Sequence, residues 1–314
     1  MSHSPAAADS WFLVGPTAAG KTAVGLELAR RIDAEIISLD SMAVYRGLDI
    51  GTAKPTPAER AAAPHHLIDL VEPDQEFSLA QYVSAAEKST AEIKAHGRQV
   101  LFVGGTPLYL KSLLRGIFEG PAADWPLRRR LEAEAHRQGP QWLHQRLAAV
   151  DPQAAARLHP RDARRLIRAL EVFEKTGRPI SELQQQFDRA RPAEQCRVFV
   201  LDWPREIICA RIDARVDAMF AAGLVRETEE LLARPIQLSQ SARQALGYRE
   251  VLEHLTGQRT LAETIDLVKL RTRQFAKRQL TWFRSLSECR WITLTCEDDL
   301  ASAAQRIVSE GGGQ

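Results

Sequence analysis

Gly15, Gly20, Lys21 and Thr22 stand at the spacing G-x-x-x-x-G-K-[ST] inside the run FLVGPTAAGKT, residues 12–22. Those residue types at those intervals make a phosphate cradle. The glycines let the backbone curl so that N–H groups converge on an anion at the positive end of the following helix. Gly15, Pro16, Thr17, Ala18, Ala19 and Gly20 would line the cradle with their backbone. Lys21 would neutralise outer phosphate oxygens, and the Thr22 hydroxyl would be the metal ligand, holding Mg²⁺. An apolar strand precedes the loop from Trp11 and an amphipathic helix follows it to Arg31, which completes a P-loop. The loop leaves open whether its phosphate is transferred or released.

A second chemical group bears on that question. In most P-loop NTPases a later strand ends in an aspartate that helps hold Mg²⁺. Here the corresponding strand, QVLFVGGT, ends in Gly104, Gly105 and Thr106, whereas an acid, Asp40, closes the strand AEIISLD. Facing the loop across the top of a sheet, Asp40 could position Mg²⁺ or take a proton from a nucleophile beside the phosphate. It could equally cap the next turn. Two chemistries fit: a small-molecule kinase with Asp40 as base, or a transferase with a diphosphate leaving group, whose developing charge the cradle would stabilise. His65 and His66 have no companions at metal-ligand spacing and read as structural.

Strand and helix patterns alternate from residue 11 to about 118, through WFLVG, AVGLELARRI, AEIISLD, FSLAQYVSAAEKSTAEIKAHG, QVLFVGG and TPLYLKSLLRGI. That order predicts an α/β fold, a P-loop NTPase-like doubly wound parallel sheet with ligands at the carboxyl ends of its strands. Residues 121–189 read as a mostly helical insertion domain rich in Arg and Gln. CRVFVLDWP (196–204) then restores the sheet, a helical C-terminal region runs to about residue 288, and CRWITLT offers a last strand. The core is therefore expected over 11–120 and 190–300, with a disordered N-terminus at 1–10 and a flexible tail at 301–314. A net charge of +2 over 314 residues does not mark the whole molecule as a nucleic-acid binder, so any such site must be a local cluster of cations. Cys196, Cys209, Cys289 and Cys296 lack C-x-x-C spacing and read as reduced thiols. With no signal-like start and no long apolar segment, the expectation is a cytoplasmic protein that meets no membrane.

The runs GPTAAGKT, DSMAVYRGLDIGTAKP, HHLID, FSLAQY, VGGTPLYLKSLLRG, GYRE and AKRQLTWFR, in this order from about residue 11 to 292, resemble the tRNA dimethylallyltransferases, or isopentenyl-tRNA transferases. The lack of a C-terminal Cys/His zinc finger makes the resemblance one to the bacterial type. It implies transfer of a dimethylallyl group from dimethylallyl diphosphate to N6 of adenine 37, beside the anticodon of tRNAs reading codons that begin with U. The loop would then hold a leaving diphosphate, and Mg²⁺ is the implied cofactor. Asp40 matches the carboxylate that takes the N6 proton, while Lys21, Thr22 and Arg215, in ARIDARVDAMF with Arg211 four residues earlier, would stabilise the diphosphate. Thr106 matches a position beside the substrate adenosine. The target base must leave the anticodon stack to react. Asp40, Ser41, Met42 and Ala43 would surround it, although the family often carries Gln where this chain has Ala43.

Further positions that the resemblance puts near the tRNA anticodon stem-loop are Arg128, the run Arg164, Arg165, Leu166, Ile167 and Arg168, and the run Gln244, Ala245, Leu246, Gly247, Tyr248 and Arg249. A last run comprises Lys277, Arg278, Gln279, Leu280, Thr281, Trp282, Phe283 and Arg284. Arg273, Lys277 and Arg284 share one helical stripe, with Leu270 and the aromatics expected to pack in the core on the other side. No obligate protein partner is implied, and a monomer is expected. Rival readings are an adenylate (cytokinin-type) isopentenyltransferase, a P-loop small-molecule kinase, and a nonenzymatic RNA-binding module.

Overall fold

Strands that read as unbroken apolar runs are those covered on both faces. WFLV and AEIISL behave in this way: β1 (Trp11–Val14) and β2 (Ala34–Leu39) are buried at every residue. The structure, a computed structural model, describes residues 9–118, 120–184, 190–296 and 298–312. In chain order, β1 leads through α1 (Lys21–Arg31) to β2, then α2 (Pro57–Ala62), β3 (His65–His66), α3 (Leu79–Ala95), β4 (Gln99–Gly104) and α4 (Pro107–Arg115). Five helices follow: α5 (Trp125–Gln138), α6 (Trp142–Val150), α7 (Pro152–Arg157), α8 (Ala163–Thr176) and α9 (Ile180–Leu183). The rest comprises β5 (Arg197–Asp202), α10 (Arg205–Ala221), α11 (Leu224–Ala233), α12 (Gln240–Arg243), α13 (Tyr248–Leu255), α14 (Leu261–Arg284), β6 (Cys289–Thr293) and α15 (Asp298–Gly311).

The chain divides into two units, one from Arg115–Arg189 and one from the segments before and after it. The second contains a parallel sheet in the order β3-β2-β4-β1-β5-β6, the doubly wound α/β arrangement that the sequence predicts. Register decides what meets what. Val14 pairs with Gly104, and Gly104 pairs with Leu39, so the residues that follow them leave the sheet side by side on β1, β4 and β2. With neighbouring strands ~4.8 Å apart, the chain at Asp40 starts about 10 Å from the P-loop. Within β2, Glu35 is accommodated because its carboxylate meets His66 Nε2 at 2.6 Å, and His65 Nδ1 lies 2.7 Å from the Ala63 carbonyl.

The Arg115–Arg189 unit is helical, with Leu131, Leu143, Leu147, Leu166 and Leu170 in its core. No described helix is long and apolar enough to cross a membrane.

The expected tail at 301–314 needs correcting. Leu300, Ala303, Ala304 and Ile307 fall at the i, i+3, i+4, i+7 spacing of a helix face. α15 buries Ala303, Ala304 and Ile307 in the same core as Val24 and Leu28 of α1. At the other end Ser10 is buried, not loose, while residues 1–8 and 313–314 lie outside the described residues. Because Ile307 is fully buried, Ile307→Ala should cost ~2–5 kcal/mol of stability in urea unfolding. A loss below ~0.5 kcal/mol, the size of a surface substitution, would put α15 outside the cooperative fold.

Candidate active site

The P-loop is held in shape by side chains from outside it. Gln279 Oε1 accepts the Thr17 N–H at 3.0 Å, Arg211 Nε donates to the Ala18 carbonyl at 2.9 Å, and Trp203 Nε1 donates to the Ala19 carbonyl at 3.0 Å. Arg211 in turn lies over the Trp203 ring, 4.7 Å from its centroid. Because a peptide unit is planar, with its N–H opposite its C=O, tying the Ala19 carbonyl to Trp203 turns the Gly20 N–H the other way. Gly20 sits at φ +87°, where only glycine is comfortable, and α1 begins there with no side-chain cap on its first amides. These are the features of an anion site.

The cations around it are unusually poorly matched. Lys21 Nζ donates to the Gly15 and Pro16 carbonyls at 3.1 and 2.7 Å. Burial, with a further push from Arg215, brings its pKa down to about 7, against the opposing pull of Asp40. Arg215 forms no hydrogen bond or ion pair among the described residues; burial lowers its pKa, Asp40 raises it and Arg211 lowers it again. Lys21 and Arg215, buried with no ion-pair partner among the described residues, are cations that a diphosphate would relieve. The Thr22 hydroxyl likewise has no partner among the described residues.

Asp40 faces this group. Its Oδ1 accepts the Met42 and Ala43 N–H groups at 2.8 and 3.3 Å, so the turn-capping role exists, yet Oδ2 has no protein partner among the described residues. Next to it the Ser41 N–H donates to Thr106 Oγ1 at 3.2 Å. Ala43 is buried, with its N–H spent on Asp40 and its carbonyl on the Asp69 N–H, so it offers nothing to a base. The absence of an acid at the end of β4 has a steric cause. A Cβ on Gly104 would fall 2.2 Å from the Leu39 carbonyl oxygen, and one on Gly105 would fall 2.5 Å from Gln279 Nε2.

Two tyrosines escaped the sequence reading. Tyr82 and Tyr109 stack with ring centroids 3.7 Å apart, and Tyr82 donates to the Ser38 carbonyl at 2.9 Å, two residues before Asp40. Burial raises both phenol pKa values, and the negative charge of Asp40 adds to it. Tyr109 could have been found from its place three residues after Thr106; Tyr82 carries no local signal, because only the fold brings α3 beside β2.

Several positions expected at a tRNA surface lie elsewhere. Leu166 and Ile167 pack in the helical core, while Ala245, Tyr248 and Phe283 are buried in the sheet-containing unit. Tyr248 donates to Glu227 at 2.5 Å and accepts the Gly51 N–H at 3.1 Å. Gln279 is 4% exposed, and besides Thr17 its Nε2 donates to the Gly105 carbonyl at 2.6 Å. Arg128 and Arg168 converge on Glu171, which is fully buried; Arg128 is bidentate at 2.9 and 2.8 Å. Burial works to raise the Glu171 pKa, but hydrogen bonds from Arg128, the Asp124 N–H and Arg168 outweigh it and hold it below the usual value. Arg249 is similarly paired with buried Glu250, which also accepts the Gly247 N–H, and Arg165 with Asp162.

The positions left at the surface are Arg164, Arg165 (exposed although paired with Asp162), Gln244, Lys277, Arg278, Thr281, Trp282 and Arg284, with Leu246 and Leu280 half-buried. On α14 the expected core face is partly wrong: Leu270, Phe275 and Trp282 are 46%, 38% and 40% exposed. Arg273 is paired with Asp213 at 2.7 Å.

A parallel α/β sheet with an anion loop on one strand, buried cations around it and a half-free carboxylate two strands away defines the P-loop class of phosphate-binding α/β proteins. Residues 43–286 match the IPP transferase family, and the chain belongs to that family. It is 48% identical to a tRNA dimethylallyltransferase of Geobacter metallireducens over 278 residues, 88% of this chain and 90% of that one. It is also 48% identical to one of Symbiobacterium thermophilum over 298 residues, 94% and 92% of the two chains. The full-length tRNA isopentenylpyrophosphate transferase of Bacillus halodurans has a similar structure, with TM-score 0.69, 39% identity and 97% of each chain covered. A eukaryotic dimethylallyltransferase acting on tRNA superposes with TM-score 0.76 at 27% identity, covering 95% of this chain and 77% of that one. The resemblance read from the motifs is borne out.

The Lys21 pKa of about 7 has a direct consequence for binding. A bound diphosphate would hold Lys21 protonated, so binding should take up a proton above pH 7, and affinity should fall as pH rises through that value. Titration calorimetry with inorganic diphosphate in buffers of different ionisation enthalpy measures the uptake. The comparison is Lys21→Met, which retains only the proton chemistry of the diphosphate itself; equal uptake by both proteins would contradict the assignment.

Proposed function

We propose that this chain transfers a dimethylallyl group from dimethylallyl diphosphate to N6 of adenine 37 in tRNAs that read codons beginning with U, releasing diphosphate. The observation that carries the reading is geometric: Asp40, anchored through Oδ1 to the Met42 and Ala43 N–H groups with Oδ2 left open, shares one site with the P-loop amides, Lys21 and Arg215. One half of the reaction needs a base and the other needs cations, and both halves meet here.

The N6 lone pair of adenine is delocalised into the ring and nucleophilically weak. Asp40 Oδ2, free beside the turn that Oδ1 anchors, accepts one N6 proton and localises the pair. As the N6–C1 bond forms, the allylic C1–O bond breaks and its electrons leave with the diphosphate. The allylic carbon tolerates the resulting partial positive charge, so the main demand on the protein is electrostatic. Lys21, Arg215 and the Gly20 N–H meet the growing negative charge.

The residues present suit Mg²⁺ in a limited way. The free Thr22 hydroxyl is one oxygen ligand, and no cluster of three or more His, Cys, Asp or Glu side chains gathers among the described residues. Mg²⁺ commonly takes few protein ligands and completes its shell with substrate phosphates and water. Thr22 would hold it on the donor, where it would neutralise diphosphate charge.

On the tRNA side, Arg164 in one unit and Lys277 and Arg278 in the other are exposed cations suited to phosphates, and the exposed Phe275 and Trp282 rings offer stacking faces. The protein would act in the cytoplasm as a monomer.

Radiolabelled dimethylallyl diphosphate with Mg²⁺ and either unmodified tRNA or AMP tests the reading: label should enter tRNA alone, and label in AMP would favour a free-nucleotide acceptor. Asp40→Asn should lower kcat ~10²–10⁴-fold with tRNA affinity kept within several fold; near-normal turnover would remove Asp40 as base. The arginines should separate as well. Arg164→Ala should lower the salt slope of tRNA binding by about one and leave melting unchanged. Arg128→Ala should instead cost ~1–3 kcal/mol of stability, because it strips a partner from buried Glu171.

A further inference from the structure

Gln279 lies on α14 between the exposed Lys277, Arg278, Thr281 and Trp282, yet its own side chain points into the protein and is 4% exposed. Its amide spans two backbone groups from separate strands: Oε1 accepts the Thr17 N–H of the P-loop at 3.0 Å, and Nε2 donates to the Gly105 carbonyl at the end of β4 at 2.6 Å. The partners dictate this orientation, since an N–H needs an acceptor and a carbonyl needs a donor. Gly105 continues into Thr106, whose hydroxyl accepts the N–H of Ser41, the neighbour of Asp40. One side-chain amide therefore joins the loop that grips the departing anion to the shelf that carries the base.

Resting on the function proposed above, we infer that Gln279 is a positioning residue: it sets the distance between the diphosphate loop on β1 and the Asp40 turn on β2 by bridging the strand that separates them. Among side chains of this length only glutamine carries both a donor and an acceptor. Leucine or methionine offers neither bond, and a glutamate carboxylate would set a second acceptor against the Gly105 carbonyl unless protonated. Gly105 is glycine for the same reason, since its Cβ would fall 2.5 Å from Gln279 Nε2. Lys21, Arg215 and the Gly20 N–H bind the anion without Gln279, so its loss should impair the alignment of donor and base more than the capture of either substrate.

The test measures kcat, the KM for dimethylallyl diphosphate and the tRNA Kd for Gln279→Leu and Gln279→Glu. Gln279→Leu should lose ~10–100-fold in kcat, with KM and the tRNA Kd within about threefold of wild type. Gln279→Glu should be impaired at high pH and recover as pH falls, because a protonated carboxyl restores a donor to Gly105 and burial raises its pKa. The ratio of its kcat to that of wild type removes pH effects common to both proteins from the comparison. A wild-type enzyme that fails to prenylate tRNA would overturn the reaction itself. With an active wild type, Gln279→Leu keeping more than half its kcat would overturn the positioning role. So would a Gln279→Glu ratio that stays flat with pH, which remains readable if Gln279→Leu does not fold.

Discussion

The close approach of β4 to its neighbours at the carboxyl edge of the sheet governs the site. Gly104 pairs with both Leu39 and Val14, and its Cα lies so near the Leu39 carbonyl that no side chain fits. Gly105 is closed by the Gln279 amide. An acid at the end of β4, where many P-loop proteins keep one, is therefore sterically excluded. The carboxylate comes from the next strand instead, about 10 Å from the loop. That separation leaves room for a transferred group between the carboxylate and a phosphate held by the loop, as the proposed reaction requires.

The electrostatics follow from that placement. Arg215 lies close enough to Lys21 and Arg211 to be repelled by them, and among the described residues no ion pair joins Asp40 to Lys21 or Arg215. Arg211 is quieted by the Trp203 ring and the Ala18 carbonyl. Lys21 responds by holding its proton weakly, and Arg215 keeps its charge without a hydrogen-bonding partner among the described residues. A site strained in this way favours an anion that can engage all of its donors at once.

Arginines grouped by spacing do not share one role. Glu171 and Glu250 are both fully buried, and a buried carboxylate is tolerable only when paired and hydrogen-bonded. Arg128 and Arg168 are spent on the first, Arg249 and Arg271 on the second. Arg164, Lys277 and Arg278 remain at the surface. Lys54, in the DIGTAKP run, is also internal, tied to Asp49 and Asp69 at 2.6 and 2.7 Å, and it braces the segment after Asp40.

The sequence by itself determined the P-loop, the parallel α/β order, the helical insertion and the family. Each depends on local spacing: glycines at fixed intervals, apolar runs between helical periods, and motifs in series. It also singled out Asp40, because strand ends can be counted, and the family resemblance pointed to Arg215. It misjudged α15, whose apolar interval lies beside a glycine-rich terminus; it assigned Tyr248 and Gln279 to a surface they do not reach, and it left unseen that the partly exposed Arg128 is spent on Glu171. Tertiary structure decided those cases. Whether a polar side chain faces solvent depends on what packs against it from distant parts of the chain, such as Glu171 on α8 for Arg128 or Thr17 and Gly105 for Gln279, and no local interval encodes that partner.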